Sequence, residues 1–345
     1  MQFPAWDPVL FDIPGLPIDI RWYGLMYVVG FVLAQWIMVR LARRGFFPVK
    51  PEVAPDLVFY CVFGVMLGGR IGYAMFYGEG MLNPLKFLQV WEGGLAFHGG
   101  LAGVAVAIWL FCRRHRVPWL CVADTCALAV TPGIFAVRVA NFINGELFGR
   151  ATTKDTPFAM QFPTDDRASQ LLGIGPGWPM RDRELCIQVA FGKRTFADVR
   201  PELHETDLDG RAIDWLAVAP KLDWAKVSKV TVDGEPYVPY RHPSQLYEAV
   251  GEGLLLGLVL AVLWWATRHR SLPRGRFAGI FMVGYAAIRG GLEFVRQPDA
   301  HLGIVALGMT MGQLLSVGVL CGGVLMLIAP RLWPATGPAA GADPS

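Results

Sequence analysis

Apolar residues run along this chain in seven long stretches, each close to the roughly 20 residues that a helix needs to cross the hydrocarbon layer of a membrane. The stretches run from Trp22 to Val39, Pro55 to Phe76, Leu95 to Cys112, Trp119 to Val139, Leu246 to Ala266, Phe277 to Val295 and Leu307 to Ile328. The pattern predicts an all-α polytopic membrane protein, a bundle of seven transmembrane helices. One connection breaks the rhythm of short turns. The segment from Ala151 to Tyr240 is long, polar and rich in Asp, Arg, Pro and Gly, and reads as an inserted head. Within it, residues 230–238 spell Val-Thr-Val-Asp-Gly-Glu-Pro-Tyr-Val, a hairpin pattern with an Asp-Gly turn. The expected organisation is residues 1–150 for an N-terminal arm and four spans, 151–240 for the partly β insertion, 241–331 for three further spans, and 332–345 for a disordered tail.

Charge fixes a direction for this bundle. Arg40, Arg43, Arg44 and Lys50 follow the first span, Arg113, Arg114 and Arg116 the third, Arg268, Arg270, Arg274 and Arg276 the fifth, and Arg331 the last. Basic loops stay in the cytoplasm, so the N-terminus is expected outside, the C-terminus cytoplasmic and the insertion extracytoplasmic. The first twenty residues hold four prolines and three aspartates without a basic leader, and no cleaved signal peptide is expected. Composition agrees with a membrane chain: of 345 residues 54% are hydrophobic and 17% charged, with mean hydropathy +0.40. The net charge of +3 decides little, and no nucleic-acid partner is implied. Six cysteines show neither a disulfide framework nor zinc-ligand spacing. Asp207, Asp209 and Asp214 lack the remaining ligands of a calcium loop.

Against this apolar background the polar residues stand out, and the predicted orientation puts most of them toward the outer face. Tyr23 opens the first span, Arg70 lies late in the second and His98 early in the third. Arg138 and Asn141 close the fourth, His242 and Glu248 open the fifth, and Tyr285, Arg289, Glu293 and Arg296 follow in the sixth. The last four are spaced four, four and three apart, which predicts one helical stripe facing the bundle. Such a stripe fits two readings, an ion-paired staple between helices or an anion site whose guanidinium is held by a carboxylate. Glu248 and Glu252, one turn apart, read as packing partners for the arginines, and Arg70 as a counterion for one of them. After Arg138 and Asn141, the Asn144-Gly145 pair marks a helix stop, placing Glu146, Gly149 and Arg150 on a loop at the membrane rim. His98, next to Gly99-Gly100, reads equally as an interhelical hydrogen-bonder or as a proton acceptor. On these residues alone an enzyme and a lipid or anion transporter stand level. A noncatalytic scaffold is the third class. In the cytoplasmic half the strongest ionisable candidate is Asp124.

Six stretches in register carry a resemblance to a known family. They are residues 21–27 (Arg-Trp-Tyr-Gly-Leu-Met-Tyr), 67–73 (Leu-Gly-Gly-Arg-Ile-Gly-Tyr), 97–101 (Phe-His-Gly-Gly-Leu), 141–147 (Asn-Phe-Ile-Asn-Gly-Glu-Leu) with Gly149-Arg150, 241–248 (Arg-His-Pro-Ser-Gln-Leu-Tyr-Glu) and 296–299 (Arg-Gln-Pro-Asp). In these the chain resembles the prolipoprotein diacylglyceryl transferases of bacteria. The resemblance implies a seven-span enzyme of the bacterial cytoplasmic (inner) membrane, open to lipid, with its site toward the outer leaflet and no metal or cofactor. It implies transfer of diacylglyceryl from phosphatidylglycerol to the lipobox cysteine of a preprolipoprotein signal peptide, with glycerol phosphate released. Arg138, Asn141, Glu146 and Gly149 match the family's signature segment, and Tyr23, His98, Tyr285 and Arg289 match positions regarded as essential. Two departures stand: Val137 replaces a glycine before the signature arginine, and nothing in the family accounts for residues 164–238. Expected roles follow from the chemistry. Arg138 and Arg289 grip the phosphate, Glu293 and Tyr285 orient Arg289, Asn141 and Glu146 meet the glycerol headgroup, and His98 takes the thiol proton, with Arg70 and Arg296 nearby.

Overall fold

The computed structural model of the protein describes residues 3–4, 6–12, 19–77, 96–172, 224–232, 234–297, 304–306 and 309–328. The tail, Lys86, Cys186, the Asp207, Asp209 and Asp214 cluster and much of the insertion lie outside them. Helices form close to the apolar stretches: α1 Trp22–Arg43, α2 Ala54–Tyr77, α3 Phe97–His115, α4 Trp119–Ile143, α5 Ser244–Thr267, α6 Arg276–Leu292 and α7 Met311–Ile328. Four of the described helices, α1, α2, α4 and α5, are long and apolar enough to cross a membrane. Val32, Phe63 and Val262 are more than half exposed on their helices, a placement that water penalises and lipid does not.

Contacts divide the chain into two compact units. One comprises Met1–Trp22, Val139–Tyr247 and Phe294–Pro298, and the other Tyr23–Arg138, Glu248–Glu293 and Asp299–Ser345. The first unit is built around Phe3, Phe142, Met160 and Phe162, with Phe3 edge-on to Phe142 at 5.3 Å between ring centres. A short antiparallel ladder joins Ala151–Thr152 to Tyr240–Arg241, so the insertion leaves and returns at one place. The hairpin expected around Asp233-Gly234 is present, with Thr231–Val232 paired to Glu235–Pro236 and Gly234 at φ 84°.

In the second unit small residues set the helix spacing. Gly64, Gly68 and Gly72 of α2 lie against Gly99 and Gly103 of α3, where a Cβ on Gly72 would sit 2.8 Å from the Gly99 Cα. Gly99 is therefore a packing glycine, one of the two roles open to it in the sequence. A buried cluster of Met38, Leu41, Phe47, Leu57, Phe111 and Val122 closes the end of the helices that bears the basic loops.

Helix α5 departs from the expected regular span. Ala249–Leu255 is a π-helix between the α-helical stretches Ser244–Glu248 and Leu256–Thr267, and such wide turns collect at functional sites. Two glycines in the π turn admit neighbours. A Cβ on Gly253 would lie 2.7 Å from the Phe135 Cα of α4, and one on Gly251 2.7 Å from the Ile288 side chain of α6. The three helices thus meet at the π turn.

Helix α6 corrects the four-residue stripe read in the sequence. It stops at Leu292, Glu293 forms its C-cap, and Arg296 leaves the helix for an extended bridge with Gly149. Gly290-Gly291 weakens the last turn, and the backbone groups beyond it find sheet-like partners instead.

Asp124, the strongest ionisable candidate in the half expected to be cytoplasmic, caps a helix. Its carboxylate accepts the N–H of Gly275 at 2.7 Å and of Ala278 at 2.9 Å, the orphan donors at the start of α6. Asp124→Ala should cost about 1–3 kcal/mol of stability in detergent unfolding, because it strands buried donors. The folded fraction should keep its turnover. An intact stability with lost turnover would place Asp124 in the chemistry.

Candidate active site

Two arginines from different helices meet on one carboxylate in the second unit. The Glu248 Oε1 accepts from Arg289 NH1 at 2.9 Å, and its Oε2 lies 2.8 Å from Arg138 Nε. Glu252 Oε2 stands 3.8 Å from Arg138 NH2, and Glu293 Oε2 stands 3.9 Å from Arg289 NH2. Their burial is unequal. The arginine side chains are 16–19% exposed, whereas those of the three glutamates are 0–5% exposed. The carboxylates form a floor and the guanidiniums form its accessible surface. Two cations against three anions leave no net positive charge if all are ionised, so any attraction for an anion would have to come from the direction of the guanidinium N–H groups and not from net charge. Among the described residues Arg138 NH1 and Arg289 Nε make no ion pair, which leaves them as donors that could meet an oxyanion.

The arrangement follows from the helices. Arg138 comes from α4, Glu248 and Glu252 flank and enter the π turn of α5, and Arg289 lies in the last turn of α6. Glu293 is buried against Gly312 at the start of α7, where the helix dipole favours an anion. Tyr285, one turn before Arg289, stacks on Phe281 with ring centres 5.7 Å apart. Arg70 is buried in α2 at 3% exposure. The Tyr23 hydroxyl lies 3.2 Å from that of Tyr27. His98 occupies the first turn of α3, and its side chain lies outside the described residues.

In the first unit the loop after α4 is organised on Glu146. Asn141 Nδ2 and Asn144 Nδ2 donate to its Oε1 at 3.0 and 3.2 Å, while Oε2 makes no hydrogen bond among the described residues. The loop backbone is tightly specified. Gln245, fully buried, donates to the Glu146 carbonyl at 2.6 Å, and Ser244 Oγ donates to the Leu147 carbonyl at 2.9 Å. Leu147 has φ 60°, a conformation that a non-glycine residue keeps only where its surroundings impose it. Gly149 donates to the His242 carbonyl at 2.8 Å, and a Cβ there would run into the Val295 carbonyl and lie 2.9 Å from the His242 side chain. Arg150 Nε reaches the Arg296 carbonyl at 2.7 Å. Arg241 pairs with Asp165, donates to Gln297 Oε1 at 2.9 Å and lies over the Phe148 ring.

Comparison with known proteins bears on what this geometry serves. A family model described as prolipoprotein diacylglyceryl transferase matches residues 8–329. The chain belongs to that family. It is 36% identical over 330 residues to the phosphatidylglycerol–prolipoprotein diacylglyceryl transferase of Yersinia enterocolitica, covering 95% of this chain and 94% of the relative. The protein of that name from Sodalis glossinidius is 38% identical over 330 residues, with the same coverage. The one from Burkholderia mallei is 36% identical over 333 residues, 94% of this chain and 95% of the relative. Membership and the apolar helices together make this an integral membrane protein, mostly helical.

Within this member of the transferase family, Arg138 and Arg289 are brought together as the sequence led one to expect, but through Glu248. Glu293, expected to hold Arg289, is the more distant carboxylate. Glu248 looked like a packing partner because an acid in an apolar helix signals a cation without saying how many. Arg296 is placed with Gly149 and Arg150 in the first unit, because α6 ends early. Gln245, Ser244 and Asp165 carried no assigned role in the sequence; uncharged or remote residues that act by holding a backbone carbonyl or an arginine leave no periodic signal. Val137 is half-buried in α4.

Proposed function

We propose that the protein transfers the diacylglyceryl group of phosphatidylglycerol to the lipobox cysteine of a prolipoprotein signal peptide, the first step of bacterial lipoprotein maturation. The observation that carries this reading is the pair Arg138 and Arg289, turned outward from a buried carboxylate floor in a chain of this family. The cysteine sulfur attacks the glycerol carbon that bears the phosphate, a C–S bond forms, and the C–O bond breaks. Its electron pair leaves on the oxygen of glycerol phosphate. Arg138 and Arg289 stabilise the growing charge on that oxygen and its phosphate without titrating. Asn141 holds Glu146, whose open carboxylate oxygen accepts a hydroxyl of the headgroup glycerol. His98 accepts the thiol proton. Tyr23, Tyr285, Arg70, Arg296 and Gly149 shape the surroundings. The reaction needs no metal or other cofactor.

The same proposal includes seven spans in the bacterial inner membrane, N-terminus outside, C-terminus cytoplasmic, the 151–240 insertion outside and the site toward the outer leaflet. Arg-over-Trp pairs at the basic helix ends support that orientation, with Arg40 over Trp36, Arg113 over Trp109 and Arg268 over Trp265. A transporter would need ionisable groups continuing into the other half. There Asp124 is occupied as a helix cap.

Purified protein mixed with phosphatidylglycerol and a cysteine-bearing lipobox peptide should yield the diacylglyceryl peptide by mass spectrometry. No adduct from folded protein would refute the assignment. In that assay His98→Asn should lose the acidic limb of the pH–rate profile, and an unchanged profile would remove it as proton acceptor. Gly149→Ala should lower turnover about tenfold or more, roughly 1.4 kcal/mol of barrier, by prising the loop from Val295 and His242. Full turnover in this variant would show that the loop has room to shift.

A further inference from the structure

We infer that the basic end of α1 carries a second lipid site, a groove for the headgroup of an anionic phospholipid, at the helix ends that the proposed orientation puts in the cytoplasmic leaflet. The groove encloses about 490 Å³, within the usual range for ligand sites of roughly 300–1,000 Å³. Its lining is graded along the helix. Val32, Gln35, Trp36 and Val39 line one end of it, and Arg40, Arg43 and Arg44 the other. At about 1.5 Å rise per residue the stripe from Val32 to Arg44 covers roughly 18 Å, from acyl depth to the phosphate level. Its apolar wall faces outward, with Val32 58% and Trp36 57% exposed.

The three arginines have no acidic partner among the described residues. Two are held in place by rings. Arg40 lies 5.4 Å from the centre of the Trp36 ring, and Arg44 lies 5.3 Å from that of Trp264 in α5. Ring contact at these distances restrains the guanidiniums while leaving N–H groups for phosphate oxygens. An apolar wall below and three unpaired guanidiniums above complement one chemistry, a lipid whose headgroup carries net negative charge. Topology anchors need only charge near the interface. A lined groove with oriented guanidiniums is more than that role requires. The inference stands independently of the transfer reaction.

The test is native mass spectrometry of the full chain with equal amounts of dioleoyl phosphatidic acid and dioleoyl phosphatidylcholine. The wild type should retain the anionic lipid in preference by about tenfold. A triple variant, Arg40→Lys with Arg43→Lys and Arg44→Lys, keeps the charge that sets topology and loses the planar fork. It should lose one bound anionic lipid and keep wild-type transfer. If it fails to accumulate, Trp36→Leu with Trp264→Leu keeps every charge and should give the same loss. Binding unchanged in the variants would overturn the site, as would displacement of the lipid by inorganic phosphate alone, which would mark a bare anion site.

Discussion

Arg289→Ala should reduce diacylglyceryl transfer by about 10²–10³-fold or more, the range seen when one preorganised donor to a developing oxyanion is removed, roughly 2.7–4 kcal/mol. The side chain stands in the last turn of α6, donates to Glu248 at 2.9 Å and is 16% exposed, so the N–H groups not spent on Glu248 are available to the proposed phosphate. The effect should fall on kcat and kcat/KM together, because the charge on the leaving oxygen exists only as the C–O bond breaks. Arg289→Lys should recover little, since a point charge cannot both pair with Glu248 and fork onto a phosphate. Steady-state assays on variants that elute as the wild type in detergent would check this. Near-normal turnover of Arg289→Ala would remove it from the reaction.

Glu248→Ala should do more damage to the fold. Both oxygens of this fully buried carboxylate face an arginine; removing one partner of a buried pair costs about 3–5 kcal/mol where the other charge is left unpaired, an upper bound here because Glu252 and Glu293 remain at 3.8 and 3.9 Å. Both guanidiniums would lose their nearest carboxylate at once and keep only the more distant Glu252 and Glu293, so the packing of α4, α5 and α6 at the π turn should loosen. Reduced accumulation in the membrane and a lower unfolding midpoint are expected, with no detectable transfer. Glu248→Gln offers the discriminating comparison. It keeps the shape and one acceptor, so the protein should accumulate, yet the arginines should no longer hold their aim and turnover should stay low. A fully active Glu248→Gln would show that charge on this residue is dispensable to the site.

Much of this protein was legible in the sequence because membranes make simple demands. A helix that crosses hydrocarbon must be apolar for most of its length, so the boundaries of α1, α2, α4 and α5 stand close to the composition breaks. Isolated charges inside such segments mark function or pairing, and Arg138 and Arg289 were found that way. The stop after α4 was equally local, as Gly145 at φ 70° follows the last helical residue by two.

What the sequence determined by itself was the identity of the groups and their rough position along each helix, since those depend on hydropathy and motif spacing along one segment at a time. Tertiary structure decided which of them face each other. The π turn in α5 shifts the register of Glu248 and Glu252 relative to an ordinary helix, glycines at 251 and 253 let α6 and α4 close on it, and one carboxylate then serves two arginines. The early end of α6 sends Arg296 to Gly149 in the same way. Pairing of this kind depends on close packing between segments more than a hundred residues apart, and a repeat of 3.6 residues within one helix carries no record of it.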